Sequence, residues 1–176
     1  MQKGLVIVFT GNGKGKTSAA LGVALRSCGH RMHVSVVHFI KTAAVSGEER
    51  AAERLRPELE IISFGRGFVK QMGDNLPFAE HQRAAAEALA AARQRISSGF
   101  WDVVILDEIN NAVSLDLLGI GEVLDLLRSR PPRLHVILTG RDAHPDIIAL
   151  ADMVTEMNDI KHPFARGLPA QEGIDY

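Results

Sequence analysis

Residues 9–22 read FTGNGKGKTSAALG, and this stretch decides the kind of fold that the chain forms. Three glycines and two lysines lie within residues 11–16, after the apolar run of residues 4–10 and before an alanine-rich segment. A short apolar run that enters a glycine loop is typical of a strand buried on both faces. The small residues that follow predict a helix over residues 16–29, with Gly29 as its C-cap. We therefore expect a strand, a loop and a helix here.

Strands and helices alternate along the rest of the chain. The helical segments are a short polar helix stopped by Pro57 and three longer stretches at residues 76–99, 115–131 and 144–151. Further apolar runs predict strands at residues 32–40, 59–64, 102–108, 134–140 and 152–157. This alternation predicts an α/β fold, a mostly parallel sheet with helices on both faces, formed by a single domain over residues 1–176.

The composition excludes several classes of protein. Charged residues make up 23%, hydrophobic residues 46%, and the net charge is −1, so we expect neither nucleic acid nor a membrane surface as a partner. The first apolar run is too short to span a bilayer or to act as a signal sequence. The lone cysteine, Cys28, lies in a predicted helix, where we expect a core residue, and fits a reducing compartment. We therefore expect a cytoplasmic protein.

The loop at residues 10–17 fits a phosphate-binding pattern. TGNGKGKT aligns with G-x-x-x-x-G-K-[ST], with Thr10 in place of the first glycine. The glycines allow backbone angles closed to other residues, so that main-chain N–H groups approach phosphate oxygens. The next helix adds its free N–H groups and its positive end. We predict that the phosphate is bound by Gly11, Asn12, Gly13, Lys14, Gly15, Lys16, Thr17 and Ser18, with Lys14 either an extra cation or a solvated tip.

Acidic residues follow a later strand. Asp107 and Glu108 come directly after the apolar run VVIL, and ligands of an open α/β sheet bind at the carboxyl ends of its strands. Either carboxylate can hold Mg²⁺ with the Thr17 hydroxyl, directly or through water. The alternative is a helix N-cap. Arg141 follows the next strand, where it is either a phosphate or ribose contact or a plain surface arginine.

These features leave hydrolysis, phosphoryl transfer and nucleotidyl-group chemistry open. The N-K-x-D motif that binds guanine is absent, and so is an arginine-rich lid of the kind that small-molecule kinases close.

The chain as a whole resembles the ATP:corrinoid adenosyltransferase family. The matching blocks run in order from Gly4 to the C-terminus: GNGKGKTSAALGVALR, VVHFIK, SGEE, FGRGF, WDVVILDEIN, VILTGRDAHPDIIALADMVTEM and KHPFARGLPAQEGIDY. The resemblance implies a P-loop NTPase-like (RecA-like) fold. It also implies an enzyme in which a Co(I) corrinoid attacks the ribose C5′ of ATP and triphosphate leaves, in the biosynthesis or salvage of adenosylcobalamin. The family shares the departure at Thr10.

The resemblance also implies roles at the ATP site. Lys16, Thr17 and Glu108 would be catalytic, Mg²⁺ would be held by Thr17 with Asp107 or Glu108, and Arg141 would contact ATP.

On the corrinoid side, Phe68 matches an aromatic residue that the family places beneath the ring, where it displaces the lower cobalt ligand. Lys70 stands where members often have tryptophan, so either Phe68 alone displaces the lower ligand or another residue contributes. We expect Trp101 in the core. In the tail, Lys161, His162 and Phe164 either pack or border a substrate, and His162 is not a cobalt ligand.

The expected partners are the corrinoid, an external flavin or flavoprotein that reduces cobalt, and a second copy of the chain in a homodimer. The sequence does not choose between cobalamin and a cobyrinic precursor. Two alternatives stay open: a P-loop ATPase with a diverged substrate, and a binding protein without turnover.

Overall fold

Within the residues that the structure describes, six strands form one parallel sheet. They are β1 (Val6–Thr10), β2 (Val34–His38), β3 (Leu59–Ser63), β4 (Val103–Asp107), β5 (His135–Thr139) and β6 (Met153–Glu156). Their order across the sheet is β3-β2-β4-β5-β1-β6, and each pairing is parallel. The computed structural model describes residues 3–42, 46–67, 69 and 74–175, apart from the side chains of residues 164 and 165. The predicted strands are all present, with slightly shorter ends.

Helices cover both faces of the sheet. They are α1 (Lys16–Gly29), α2 (Gly47–Glu53), α3 (Phe78–Ser97), α4 (Ile109–Ser114), α5 (Ile120–Arg128) and α6 (Pro145–Leu150), and a 3-10 turn follows at Pro163–Arg166. Because successive side chains of a strand point to opposite faces, β1 contributes to two separate cores. Ile7 and Phe9 pack with α1 and α2, whereas Val6 and Val8 pack with α3 to α6. The predicted two-faced α/β architecture is therefore confirmed.

The predicted helix at residues 115–131 is wrong in its first part. The chain forms the short helix α4 directly after Glu108, leaves it at Leu115, and begins α5 only at Ile120. Glu122 caps the start of α5, since its carboxylate accepts a hydrogen bond from the Gly119 N–H at 3.0 Å and so satisfies a free donor of the helix end.

The two glycines at predicted helix ends differ. Gly99 has a φ of 71° just beyond α3, as expected for a residue that ends a helix. Gly29 is instead the last helical residue, and Arg31 adopts the left-handed conformation with a φ of 59°. The prediction of Gly29 as the C-cap is therefore wrong.

Two predicted core residues lie at the margins of the core. Cys28 is half-buried and packs against the core on the face of the sheet that α1 covers. Trp101 is half-buried and packs against the core on the other face.

Within the described part of the chain, no helix is both long enough and apolar enough to cross a membrane.

Strand order places three distant residues side by side. His38 is aligned with Asp107 in the β2–β4 pairing, and the β4–β5 register, with Leu106 beside Leu138, carries on to Asp107 and Thr139. These residues end their strands at the edge of the sheet where the loop after β1 also lies.

Candidate active site

The glycine loop packs closely against the segment that follows β6. Gly11 and Gly15 have φ values of 93° and 109°, which side chains rarely tolerate. Gly13 lacks a positive φ, so its predicted unusual backbone angle is wrong. It is needed for space instead, since a Cβ there would lie 2.7 Å from the carbonyl oxygen of Asn158. The Gly13 N–H donates to the Met157 carbonyl oxygen at 2.7 Å, so this amide is already engaged within the protein.

The amino end of α1 has the features of an anion site. Gly15 is the N-cap, and no side chain of the described residues caps the helix. The first N–H groups of the helix therefore lack an intrahelical partner and carry the positive end of the helix dipole. Thr17 is half-buried in the first turn and Ser18 is exposed there. Phosphate oxygens are suitable acceptors for these donors.

The side chain of Lys16 folds over the loop. Its ammonium donates to the carbonyl oxygens of Gly11 and Gly13, both at 2.7 Å. Burial, and then the charge of Arg141, lower the pKa of this ammonium. The charge of one predicted residue, Arg141, therefore acts on another, Lys16.

Asp107 joins the loop to the acidic strand. Its side chain has no solvent exposure, and its Oδ1 accepts hydrogen bonds from the hydroxyls of Thr17 at 2.8 Å and Thr139 at 2.7 Å. His38 Nδ1 lies 2.8 Å from Oδ2, and the Lys41 ammonium lies 3.6 Å from the same oxygen. Burial alone would raise the pKa of Asp107, but His38, Lys41 and Thr139 together lower the pKa to about 2. The carboxylate is thus an ionised acceptor that orients the Thr17 hydroxyl.

Glu108 has an unusual backbone conformation and a raised pKa. It sits at the N-cap position of α4 with a left-handed φ of 64°, yet its side chain makes no capping hydrogen bond within the described part of the chain. Such a conformation costs on the order of 1–3 kcal/mol and is common at functional sites. Its Oε2 is buried without a hydrogen-bond partner among the described residues. Burial, and then the charge of Asp107, raise the pKa of Glu108 to about 7 despite Lys41, His38 and Lys16.

This donor set suits Mg²⁺. A hydroxyl, an ionised carboxylate and a buried carboxylate oxygen that has no partner in the described part of the chain all lie near the carboxyl end of β4. The described residues hold no group of three or more His, Cys, Asp or Glu side chains suited to a metal ion. Mg²⁺ often needs only one or two carboxylates, because phosphates and water complete its shell.

The remaining predicted residues lie around this centre. Asn12 and Arg141 are exposed, and the backbone N–H of Arg141 donates to Asn111 Oδ1 at 3.0 Å. Lys14 forms an ion pair with Asp175 of the C-terminal tail, so it is not simply a solvated tip. Lys161 is exposed and His162 is half-buried.

The predicted corrinoid contact lies outside the described residues, as does Lys70. Beside Phe68, Val69 is buried in the core, and the Gly67 N–H donates to the Ile40 carbonyl oxygen at 2.9 Å. The side chain of Phe164 is also outside the described part.

Sequence reasoning missed three residues at the centre: His38, Lys41 and Thr139. His38 and Thr139 each end a buried strand, as Asp107 does, and Lys41 follows the end of β2. The strand-end rule that selected Asp107 would have selected the first two as well.

Known proteins resemble this chain in sequence and in fold. A model of the family described as ATP:corrinoid adenosyltransferase BtuR/CobO/CobP matches residues 2–176. The chain is 40% identical over 175 residues to a corrinoid adenosyltransferase of Escherichia coli (strain K12), covering 99% of this chain and 87% of the relative. A corrinoid adenosyltransferase of Pseudomonas aeruginosa is also 40% identical, with 99% and 85% covered.

Solved structures share the fold at lower identity. The flagellar accessory protein FlaH from Methanocaldococcus jannaschii superposes with a TM-score of 0.53 at 16% identity, over 89% of this chain and 72% of that protein. The RadB recombinase gives a TM-score of 0.52 at 15% identity, over 91% and 77%. The fold is therefore the P-loop, RecA-like fold that the sequence predicted.

Proposed function

Because this chain belongs to the ATP:corrinoid adenosyltransferase family, it is an enzyme that adenosylates a corrinoid with ATP, and we propose that its glycine loop holds the triphosphate as the leaving group. The observation that carries this proposal is the 2.8 Å hydrogen bond from Thr17 to Asp107, which ties the loop to the acidic strand. Loop and acid then act on one nucleotide, at the edge where ligands of such sheets bind.

The loop residues stabilise charge that grows as the bond to the ribose breaks. The uncapped amino end of α1 offers N–H donors, and Lys16 can exchange the loop carbonyls for phosphate oxygens. Charge on the triphosphate increases toward the transition state, so donors fixed beforehand lower the barrier more than they strengthen ground-state binding. Asn12, Lys14 and Arg141 lie at the rim of this site, where we place further phosphate or ribose contacts.

We assign Mg²⁺ to Thr17 and the carboxylates Asp107 and Glu108. When bound, Mg²⁺ neutralises phosphate charge and orients the leaving group. Asp107 keeps the Thr17 hydroxyl in place, and Oε2 of Glu108, which has no hydrogen-bond partner among the described residues, is available as an oxygen ligand.

In the reaction, the electron pair of Co(I) forms the bond from cobalt to C5′. The bond from C5′ to the triphosphate oxygen breaks, and its electron pair leaves with the triphosphate. The corrinoid is a substrate here, and we place Phe68 against it from the family match.

We propose that an external flavin or flavoprotein makes Co(I), since a chain with one cysteine has no thiol pair of its own to supply electrons. A requirement for reduced flavin with a Co(II) substrate, but not with chemically reduced Co(I), would test this. The family resemblance also supports a homodimer, which sedimentation would test.

An anaerobic assay tests the proposed reaction. The protein is mixed with ATP, Mg²⁺ and chemically reduced cob(I)alamin, the Co(I) absorbance is followed, and the spent nucleotide is identified. We expect loss of Co(I), a light-sensitive adenosyl–cobalt product and one triphosphate for each product. Release of ADP and phosphate without adenosylation, with either cobalamin or a cobyrinic precursor, would indicate a diverged ATPase. ATP binding without any turnover would indicate a binding protein.

A further inference from the structure

We propose that His38 is a positioning residue that fixes the orientation of Asp107 and thereby of the Thr17 hydroxyl. The two side chains are 1% and 0% exposed, and His38 Nδ1 lies 2.8 Å from Asp107 Oδ2. This inference rests on the proposed nucleotide and cation site, to which it adds a residue that touches neither ligand.

The two oxygens of Asp107 have different partners. Oδ1 accepts from two hydroxyls, those of Thr17 and Thr139. Among the hydrogen bonds of residues 3–42, 46–67, 69 and 74–175, the one at Oδ2 joins it to Nδ1 of the His38 ring at 2.8 Å. Lys41 approaches Oδ2 only to 3.6 Å, and its ammonium is shared with Glu48 at 3.0 Å.

This asymmetry makes His38 the hydrogen-bond partner that restrains Oδ2, while the two hydroxyls hold Oδ1. Carboxylate oxygens accept hydrogen bonds, so we assign the hydrogen of this 2.8 Å contact to Nδ1. His38 Nε2 is buried and has no partner in the described structure, so the ring is fixed by its bond to Asp107 and by packing. Without the donor, Oδ2 would be buried with no hydrogen bond, and the carboxylate would turn to find one. The Thr17 hydroxyl would then lose its orientation.

Two substitutions separate positioning from packing. His38→Asn keeps an N–H donor close to the place of Nδ1 but leaves a void. His38→Leu fills much of the ring's volume but donates nothing. A residue that merely packs would tolerate leucine better than asparagine, whereas a positioning residue would tolerate asparagine better.

The assay measures ATP affinity by calorimetry over a series of Mg²⁺ concentrations and again with EDTA. Outer hydrogen-bond partners of metal ligands are worth about 10- to 100-fold in metal affinity. We expect His38→Leu to raise the Mg²⁺ concentration for half-maximal ATP affinity by at least about 10-fold, and His38→Asn to stay within about 3-fold of wild type. ATP affinity in EDTA should change little in both variants.

His81→Leu is the matched control. It removes another buried histidine with an aspartate partner, Asp74 at 3.0 Å, in helix α3, and it should leave the Mg²⁺ dependence unchanged. An unchanged requirement in His38→Leu, or equal shifts in His38→Leu and His38→Asn, would overturn the inference. Absence of Mg²⁺-dependent ATP binding in wild type would instead refute the proposed site itself.

If His38→Leu does not fold, the wild-type protein still gives a test. Long-range ¹H–¹⁵N correlation reports which ring nitrogen of His38 carries the hydrogen. We expect it on Nδ1, and a ring with hydrogen on Nε2 alone would contradict the inference.

Discussion

Replacing Glu108 by glutamine should stabilise the metal-free protein, and the gain should grow with pH. Burial and the charge of Asp107 raise the pKa of Glu108 to about 7 from an ordinary 4.5, while Lys41, His38 and Lys16 act in the opposite direction. The folded protein binds the proton of Glu108 more tightly than the unfolded chain does. The contribution of this proton to the free energy of unfolding is therefore fully present below about pH 4.5 and is lost as the pH rises through about 7.

The size of the effect follows from the two pKa values. Relative to the unfolded chain, the raised pKa of Glu108 costs the folded protein about 3 kcal/mol of stability at about pH 8, and only about 1 kcal/mol at about pH 5. Glutamine has nearly the same shape and no charge, so it escapes this cost. We expect the variant's advantage in free energy of unfolding to be about 2 to 3 kcal/mol larger at about pH 8 than at about pH 5.

Urea unfolding in EDTA at the two pH values measures this difference. A pH-independent effect of the substitution cancels in the comparison. Glu87→Gln is the control, since Glu87 is exposed on α3, and it should change stability by no more than about 0.5 kcal/mol at either pH. A Glu108→Gln effect that is equal at both pH values would refute the account of Glu108 as a buried carboxylate next to a charged one.

The other predictions concern the loop and the corrinoid side. Lys16→Ala should lower kcat/KM by at least about 100-fold, because it removes charge that stabilises the leaving group, and full activity in this folded variant would refute the loop assignment. Gly13→Ala should destabilise the protein and weaken ATP binding, since the added Cβ would meet the Asn158 carbonyl oxygen; its control, Gly22→Ala on the exposed face of α1, should stabilise by about 0.5–1 kcal/mol in thermal unfolding. Phe68→Ala should reduce turnover from Co(II) at least about 10-fold more than turnover from pre-reduced Co(I), because apolar contacts of this kind are worth about 1–3 kcal/mol. Equal losses of turnover with the two substrates would show that Phe68 does not help to displace the lower cobalt ligand.

The sequence alone determined the strand, loop and helix of residues 6–29, the alternation of strands and helices, and the edge where Asp107 lies. These features depend on local patterns, since apolar runs, glycine spacing and helix periodicity are written in consecutive residues. Local patterns failed where the start of a helix depends on a side chain that caps it, as Glu122 caps α5.

Only the tertiary structure decided what surrounds the acidic strand. His38, Asp107 and Thr139 are far apart in the chain and meet because β2, β4 and β5 are neighbours in the sheet, an order that no local pattern specifies. The same holds for the contact of Gly13 with Met157 and the left-handed backbone of Glu108. Residue types and their periodicity encode which segments are buried, but strand order is set by how the crossovers pack, and that order gives the two neighbouring carboxylates opposite pKa shifts.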